Sequence, residues 1–86
     1  MEIKANRYQG KDVLKFIREN TNLTQKNFAQ SIDKTRDWQA SNEIGRSHYY
    51  FDDLIKIANV YNLEIIIRDK QKNRSDQWTI FTFIYY

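Results

Sequence analysis

The stretch LTQKNFAQSIDKTRDWQASNEIG, residues 23–45, decides the fold. Thr24 stands where a hydroxyl caps a helix, with Gln25 and Lys26 in the first turn. Phe28, Ala29 and Ile32 supply a buried stripe at helical spacing. Asp33 follows where the chain must turn sharply, and Asp is one of the few residues besides Gly that tolerates a left-handed backbone. Thr35 is placed to cap another helix, expected over about Arg36 to Ile44, and Gly45 stops it as a glycine just past a helix end does.

Helices flank this pair. Around Lys11 to Asn20, Val13, Leu14, Phe16 and Ile17 fill one arc, while Lys11, Lys15 and Arg18 fall on the opposite one. That basic stripe reads either as a solvated face or as an edge that meets phosphate. Around Phe51 to Asn62, Phe51, Leu54, Ile55, Ala58 and Tyr61 recur at three and four, and Asp52 and Asp53 sit near the positive end of the helix. Asn62 ends it in place of glycine. Two short helices joined by a tight turn, with packing helices before and after, suggest a helix-turn-helix.

Beyond residue 63 the period changes. Leu63–Arg68 is rich in β-branched residues, and Trp78 to Tyr85 reads as a second strand with apolar residues on both faces. Asp69 to Gln77 between them is polar, so residues 64–86 are expected to form a β-hairpin. One face of it packs on the helices; the other is sticky unless a partner covers it. Residues 1–10 alternate Met1, Ile3 and Ala5 with Glu2, Lys4 and Asn6, which fits a brief edge strand or a flexible arm. The organisation expected is thus an arm or short strand over 1–10, a helical domain over 11–63 and a hairpin over 64–86.

Composition narrows the chemistry. The 86 residues fit one domain, and they contain no Cys, no Pro and a single His. No disulfide framework, thiolate nucleophile, Cys-ligated zinc or His-rich metal site follows from that inventory, and neither a metal nor a cofactor is expected. No apolar run approaches the roughly 20 residues of a membrane span, and residues 1–10 lack the apolar stretch of a signal peptide, so the expected setting is the cytoplasm, away from membrane. Asp52 and Asp53 are adjacent, which puts them about 100° apart on a helix and unfit to act as a catalytic pair. There is no Gly-rich phosphate loop, and no Ser has a base beside it, so an enzyme is not expected. Net charge is +3, which permits a polyanion partner without demanding one.

Leu23-Thr24-Gln25-Lys26, Phe28-Ala29, Ile32, Thr35-Arg36, Glu43, Gly45, Leu54-Ile55-Lys56-Ile57-Ala58 and Leu63 together resemble the Cro/CI (XRE) family of helix-turn-helix transcriptional regulators. The likeness runs without a gap from about Val13 to Ile65. It implies a mainly α, lambda-repressor-like domain of four to five helices, here followed by the hairpin. It implies an internal ion pair between Arg18 and Glu43 that ties the first helix to the third. It places Gln25 and Lys26, with Lys34, Arg46 and Ser47, against DNA phosphate, and Thr35, Arg36, Asp37, Trp38 and Ser41 on the helix that enters the major groove. Arg36 has the forked donors that read a guanine edge. Asp37 either accepts from cytosine or only favours its helix end, and His48 is either a backbone contact or a solvated loop residue.

Two features depart from the family pattern. Positions that the family fills with buried apolar side chains hold Gln39 and Asn42. Either these amides are hydrogen-bonded internally, or the helix is rotated so that Trp38 turns inward; Trp38 accordingly reads as core or as a surface contact. The second departure is charge. Residues 23–46 carry four cations against three anions, net +1, whereas residues 1–18 carry five against two, net +3. Because affinity for DNA leans on neutralised phosphates, one head alone should bind weakly, and a dimer would double the contacts.

Residues 61–68 resemble the helix-to-strand ending of HipB-type XRE regulators, which implies strand pairing about a twofold axis. The expected dimer surface is Ile65, Ile67, Trp78, Ile80, Phe81 and Phe83, the alternative being a hairpin that caps its own helices. The leading expectation is therefore a sequence-specific DNA-binding regulator that represses from a palindromic operator as a homodimer. The alternative is a protein-binding module on the same scaffold, either an antitoxin that holds a toxin or a phage-type inhibitor of a host protein.

Overall fold

The structure, a computed structural model, describes residues 1–69. Among them the chain forms a 3-10 turn, Ala5–Arg7, then four helices: α1, Gly10–Thr21; α2, Gln25–Ser31; α3, Arg36–Glu43; and α4, Phe51–Tyr61. The described part is mainly helical.

Each boundary has a chemical cause. Thr24 Oγ1 accepts from the Asn27 N–H and Thr35 Oγ1 from the Trp38 N–H, both at 3.1 Å, which satisfies donors that α2 and α3 would otherwise leave open. At α1 and α4 an acid in the first turn reaches back instead. The Gln9 N–H donates to Asp12 Oδ2 at 3.3 Å and the Tyr50 N–H to Asp53 Oδ2 at 2.9 Å. Helices α1 and α4 end on left-handed asparagines, Asn22 at φ 62° and Asn62 at φ 56°, and Asp33 at φ 60° makes the turn between α2 and α3. Gly45 sits at φ 83°, and a Cβ added there would lie 3.1 Å from Lys11 Cδ, so this position favours glycine on two counts.

The core is Val13, Leu14 and Ile17 from α1, Phe28 and Ile32 from α2 and its end, and Ile57 from α4. Helices α1, α2 and α3 pack on one another. Tyr61 closes one side, stacked on Phe28 with ring centroids 5.3 Å apart, and its hydroxyl is hydrogen-bonded to Ser31. The buried stripe of α4 differs from the one expected. Ile57 and Ala58 are buried and Leu54 and Tyr61 half-buried, whereas Phe51 and Ile55 are exposed. Spacing alone admitted both arcs, and contact with Phe28 and the α1 aliphatics selects the one that carries Ile57. On α1, Phe16 is only half-buried.

Residues 1–10 hold the 3-10 turn rather than an edge strand, and Ile3 packs against the core. Residues 63–69 carry no regular secondary structure. A strand there needs a partner to bond with, and the expected second strand of the hairpin lies outside the described residues. No helix among the described residues is long and apolar enough to cross a membrane.

Candidate nucleic-acid interface

The site grows from a polar joint behind α3. Arg18 projects from α1 and grips Glu43 with two bonds, Nε to Oε2 at 2.6 Å and Nη2 to Oε1 at 3.0 Å. Its remaining nitrogen, Nη1, donates to the Leu23 carbonyl at 3.0 Å, which fixes the start of the α2 loop as well. Two amides complete the cradle: Gln25 Nε2 donates to Glu43 Oε1 at 3.1 Å and Gln39 Nε2 to Glu43 Oε2 at 2.7 Å. The Glu43 side chain is only 3% exposed. Burial alone would push its carboxyl pKa up, but donation from Arg18, Gln39 and Gln25, with the Arg18 charge, outweighs it and holds the group below its ordinary value. The bond to Glu43 in turn raises Arg18. The joint is therefore charged and bidentate, the strong form of such a contact.

This joint fixes how α3 faces. The residues that α3 buries are Gln39, Asn42 and Glu43, all polar. Of the two arrangements open from the sequence, the structure adopts internal hydrogen bonding: Gln39 binds Glu43, and Asn42 Nδ2 donates to the Trp38 carbonyl at 2.8 Å. Their two carbonyl oxygens, Gln39 Oε1 and Asn42 Oδ1, are buried without a partner. Trp38 lies half-buried against the core at the flank of α3, with Lys34 Nζ 5.1 Å from its ring centroid.

The arc left outward on α3 contains Arg36 and Asp37, exposed, and Ala40 and Ser41, half-exposed, followed by Ile44, which is 62% exposed. Arg46 leans back over this arc, its Nη2 donating to Ser41 Oγ at 3.3 Å. Lys26 stands exposed on the first turn of α2, and Ser47 and His48 are exposed in the loop after α3.

Several residues take places other than those expected. Trp38 is on the flank, not among the outward residues of α3. Gln25 spends its amide on Glu43 and belongs to the joint rather than to a phosphate contact. Lys34 is drawn inward to Asp53 of α4, Nζ to Oδ1 at 3.1 Å, so it braces α4 against the turn. Arg18 stands in the ion pair with Glu43 that the resemblance implied, which takes it out of the basic stripe of α1: a buried acid is a better partner for it than water. Thr35 is exposed, with its hydroxyl engaged as the α3 cap. Of the residues expected to form a dimer surface, Ile65 and Ile67 are exposed, at 41% and 93%, while Trp78, Ile80, Phe81 and Phe83 lie outside the described residues.

Set against known proteins, the chain matches no family model, no curated protein and no solved structure.

Ala40 and Ile44 are the outward residues that motif reasoning missed. The signal was present in the spacing: once Gln39, Asn42 and Glu43 face inward, residues one position on from Gln39 and Glu43 face out. Tyr49 was also missed. Its hydroxyl donates to the Gly10 carbonyl at 2.6 Å and ties the loop after α3 to the start of α1, and burial pushes its phenol pKa up.

Proposed function

We propose that this chain is a sequence-specific regulator of transcription of the Cro/CI (XRE) kind, which binds double-stranded DNA and represses from a palindromic operator as a homodimer. In this reading the four helices form a lambda-repressor-like helix-turn-helix domain, with α3 in the major groove and the start of α2 against the phosphates. The observation that carries it is the mounting of α3: a short capped helix, pinned from behind by Arg18 through Glu43, with its other arc turned to water between Arg36 and Arg46. Such an arc, cationic at both ends, matches a groove rimmed by anions. Lys26, Arg36 and Arg46 are the cations placed to meet them, and no cofactor or catalytic step is involved.

A mobility shift on duplex DNA, titrated with salt, tests this. Affinity should fall steeply as salt rises, because each neutralised phosphate releases counterions. Arg36→Ala should cost about 1–3 kcal/mol on a preferred site, roughly 5- to 150-fold. Salt-independent binding, or an Arg36→Ala protein with unchanged affinity and selectivity, refutes the reading.

A second reading is favoured by the apolar surface behind α4. Phe51, Ile55, Leu63, Ile65 and Ile67 line a shallow cleft of about 390 Å³. A partner protein such as a toxin, or a host protein bound by a phage-type inhibitor, would suit that surface as well as a second copy would. Co-purification of a stoichiometric protein partner without retention of DNA supports this reading over the first.

A further inference from the structure

Helix α3 has a mostly polar underside. It buries Gln39, Asn42 and Glu43 beside the half-buried Trp38, while the arc it leaves outward holds the half-exposed Ala40 and runs on to its cap residue Ile44, which is exposed. An amphipathic helix on a protein surface shows the opposite pattern. Scattered exposed aliphatics need no explanation, but these two stand one helical turn apart in the middle of a single arc. Cations close the arc at both ends, Arg36 before Ala40 and Arg46 beside Ser41, where Arg46 Nη2 donates to Ser41 Oγ at 3.3 Å. Small apolar side chains in the centre and guanidinium groups at the ends match the major groove, whose edges are phosphate and whose floor carries one apolar group, the 5-methyl of thymine.

We propose that Ala40 and Ile44 read thymine methyl groups, so that each half-site places two thymines beyond the base that Arg36 contacts. This rests on the DNA-binding reading above and deepens it to a base preference. Ala40 and Ile44 are separated by about 6 Å along the helix, at about 1.5 Å per residue. Duplex DNA rises about 3.4 Å per base along one strand, so the two methyl contacts fall about two base pairs apart. Arg36 lies one further turn toward the helix start and takes a guanine edge about two base pairs away on the other side. Asp37 on the same arc disfavours a phosphate beside it. Trp38, the larger apolar residue of α3, is excluded from this role because it packs against the core beneath Lys34.

The full chain is first used to select sites from a randomised duplex library. In the selected duplex each thymine is then replaced in turn by deoxyuridine, which lacks only the 5-methyl group. The expected result is a loss of about fourfold at two positions roughly two base pairs apart, which corresponds to about 0.8 kcal/mol for one buried carbon. The exposed Ile44 tolerates truncation, so Ile44→Ala should fold and erase the thymine–uracil difference at one position while keeping it at the other. Selected sites that bind thymine and uracil duplexes equally overturn the proposal. Salt-dependent binding with no enriched sequence also overturns it, and leaves the DNA-binding reading standing. No binding to any duplex, with a protein partner recovered on the same beads, removes both.

Discussion

Replacing Glu43 by Gln removes the anion from the joint behind α3 and keeps its shape. Four donated hydrogen bonds converge on this carboxylate, two from Arg18 at 2.6 and 3.0 Å and one each from Gln39 at 2.7 Å and Gln25 at 3.1 Å. An amide in its place offers one acceptor atom and one donor group, so at least one of these donors meets another donor. Stranding one member of a buried ion pair costs about 3–5 kcal/mol. Arg18 keeps its bond to the Leu23 carbonyl and is 16% exposed, so part of its charge is still solvated. The expected loss is therefore near the lower bound, about 2–3 kcal/mol. A chain of this length has a total stability of about 4–13 kcal/mol, so the variant still folds and is measurable by urea denaturation. The pH dependence separates charge from shape. Folding holds the Glu43 carboxyl below its ordinary value, so its stabilising contribution is complete above the unfolded carboxyl pKa of about 4.3 and is lost as pH falls through the folded value. Wild-type stability should thus fall more steeply than that of Glu43→Gln as the solution is acidified from about pH 6 toward about pH 3. A loss under about 1 kcal/mol at neutral pH, the size typical of exposed ion pairs, would refute the argument that this joint holds α3. Parallel pH profiles for the two proteins would refute it as well.

Gly45→Ala forces a side chain into a left-handed backbone and toward Lys11, and should cost about 1–2 kcal/mol in the same urea assay. Thr35→Ala leaves the Trp38 N–H without its 3.1 Å partner; a cost of about 1 kcal/mol should lower the melting midpoint by roughly 4–8 °C. Asn62→Gly relaxes a left-handed residue and should leave stability unchanged or raise it by up to about 1 kcal/mol, whereas Asn62→Ala should lower it. Phe51→Ser with Ile55→Ser removes two exposed apolar groups. If that surface joins two copies, sedimentation equilibrium should show the dimer mass giving way to the monomer mass, with little change in helix content.

Much of the helical order was legible because it rests on local chemistry. Thr24, Thr35, Asp33, Gly45 and Asn62 each act within three or four residues of themselves, so a single sequence displays both cause and effect. What stayed illegible depends on partners far along the chain. Phe51 and Ile57 share a helix and a hydrophobic character, and the place of the core formed by α1 and α2 decides which one is buried. Gln25 and Lys34 look like surface polar residues until Glu43 and Asp53, 18 and 19 residues away, are placed beside them, whereas the Arg18–Glu43 pair, 25 residues apart, is expected from the family resemblance alone. Asn22 was overlooked as a helix stop for a plainer reason, since the apolar Leu23 and the capping Thr24 already marked the junction.

The polar underside of α3 bears on how such a helix works. Apolar packing is forgiving of rotation, because one aliphatic contact substitutes for another at similar energy. Hydrogen bonds to a two-oxygen acceptor are not: rotating α3 by one residue, about 100°, would pull Glu43 from the Arg18 fork and from Gln25 together, while the Gln39 bond, made within α3, would travel with the helix. The arrangement exchanges burial energy for orientation. It also explains why two carbonyl oxygens, Gln39 Oε1 and Asn42 Oδ1, are tolerated unpaired in the interior. Each costs about 1–3 kcal/mol, yet the amide groups that carry them supply a donor that holds the Glu43 carboxylate toward Arg18 and another that satisfies the Trp38 carbonyl within α3. On the DNA-binding proposal, a surface that presents Arg36, Ala40 and Ile44 in one register needs that constraint more than it needs the last increment of stability, and the place to look for its failure is Gln39→Leu. That variant removes the unpaired Gln39 oxygen and restores apolar burial, so it should match or exceed the wild type in urea. On the DNA-binding proposal it should bind a selected duplex more weakly, because Glu43 then loses the donor that holds its carboxylate in line with Arg18 and Gln25, the bonds that join α3 to α1 and α2.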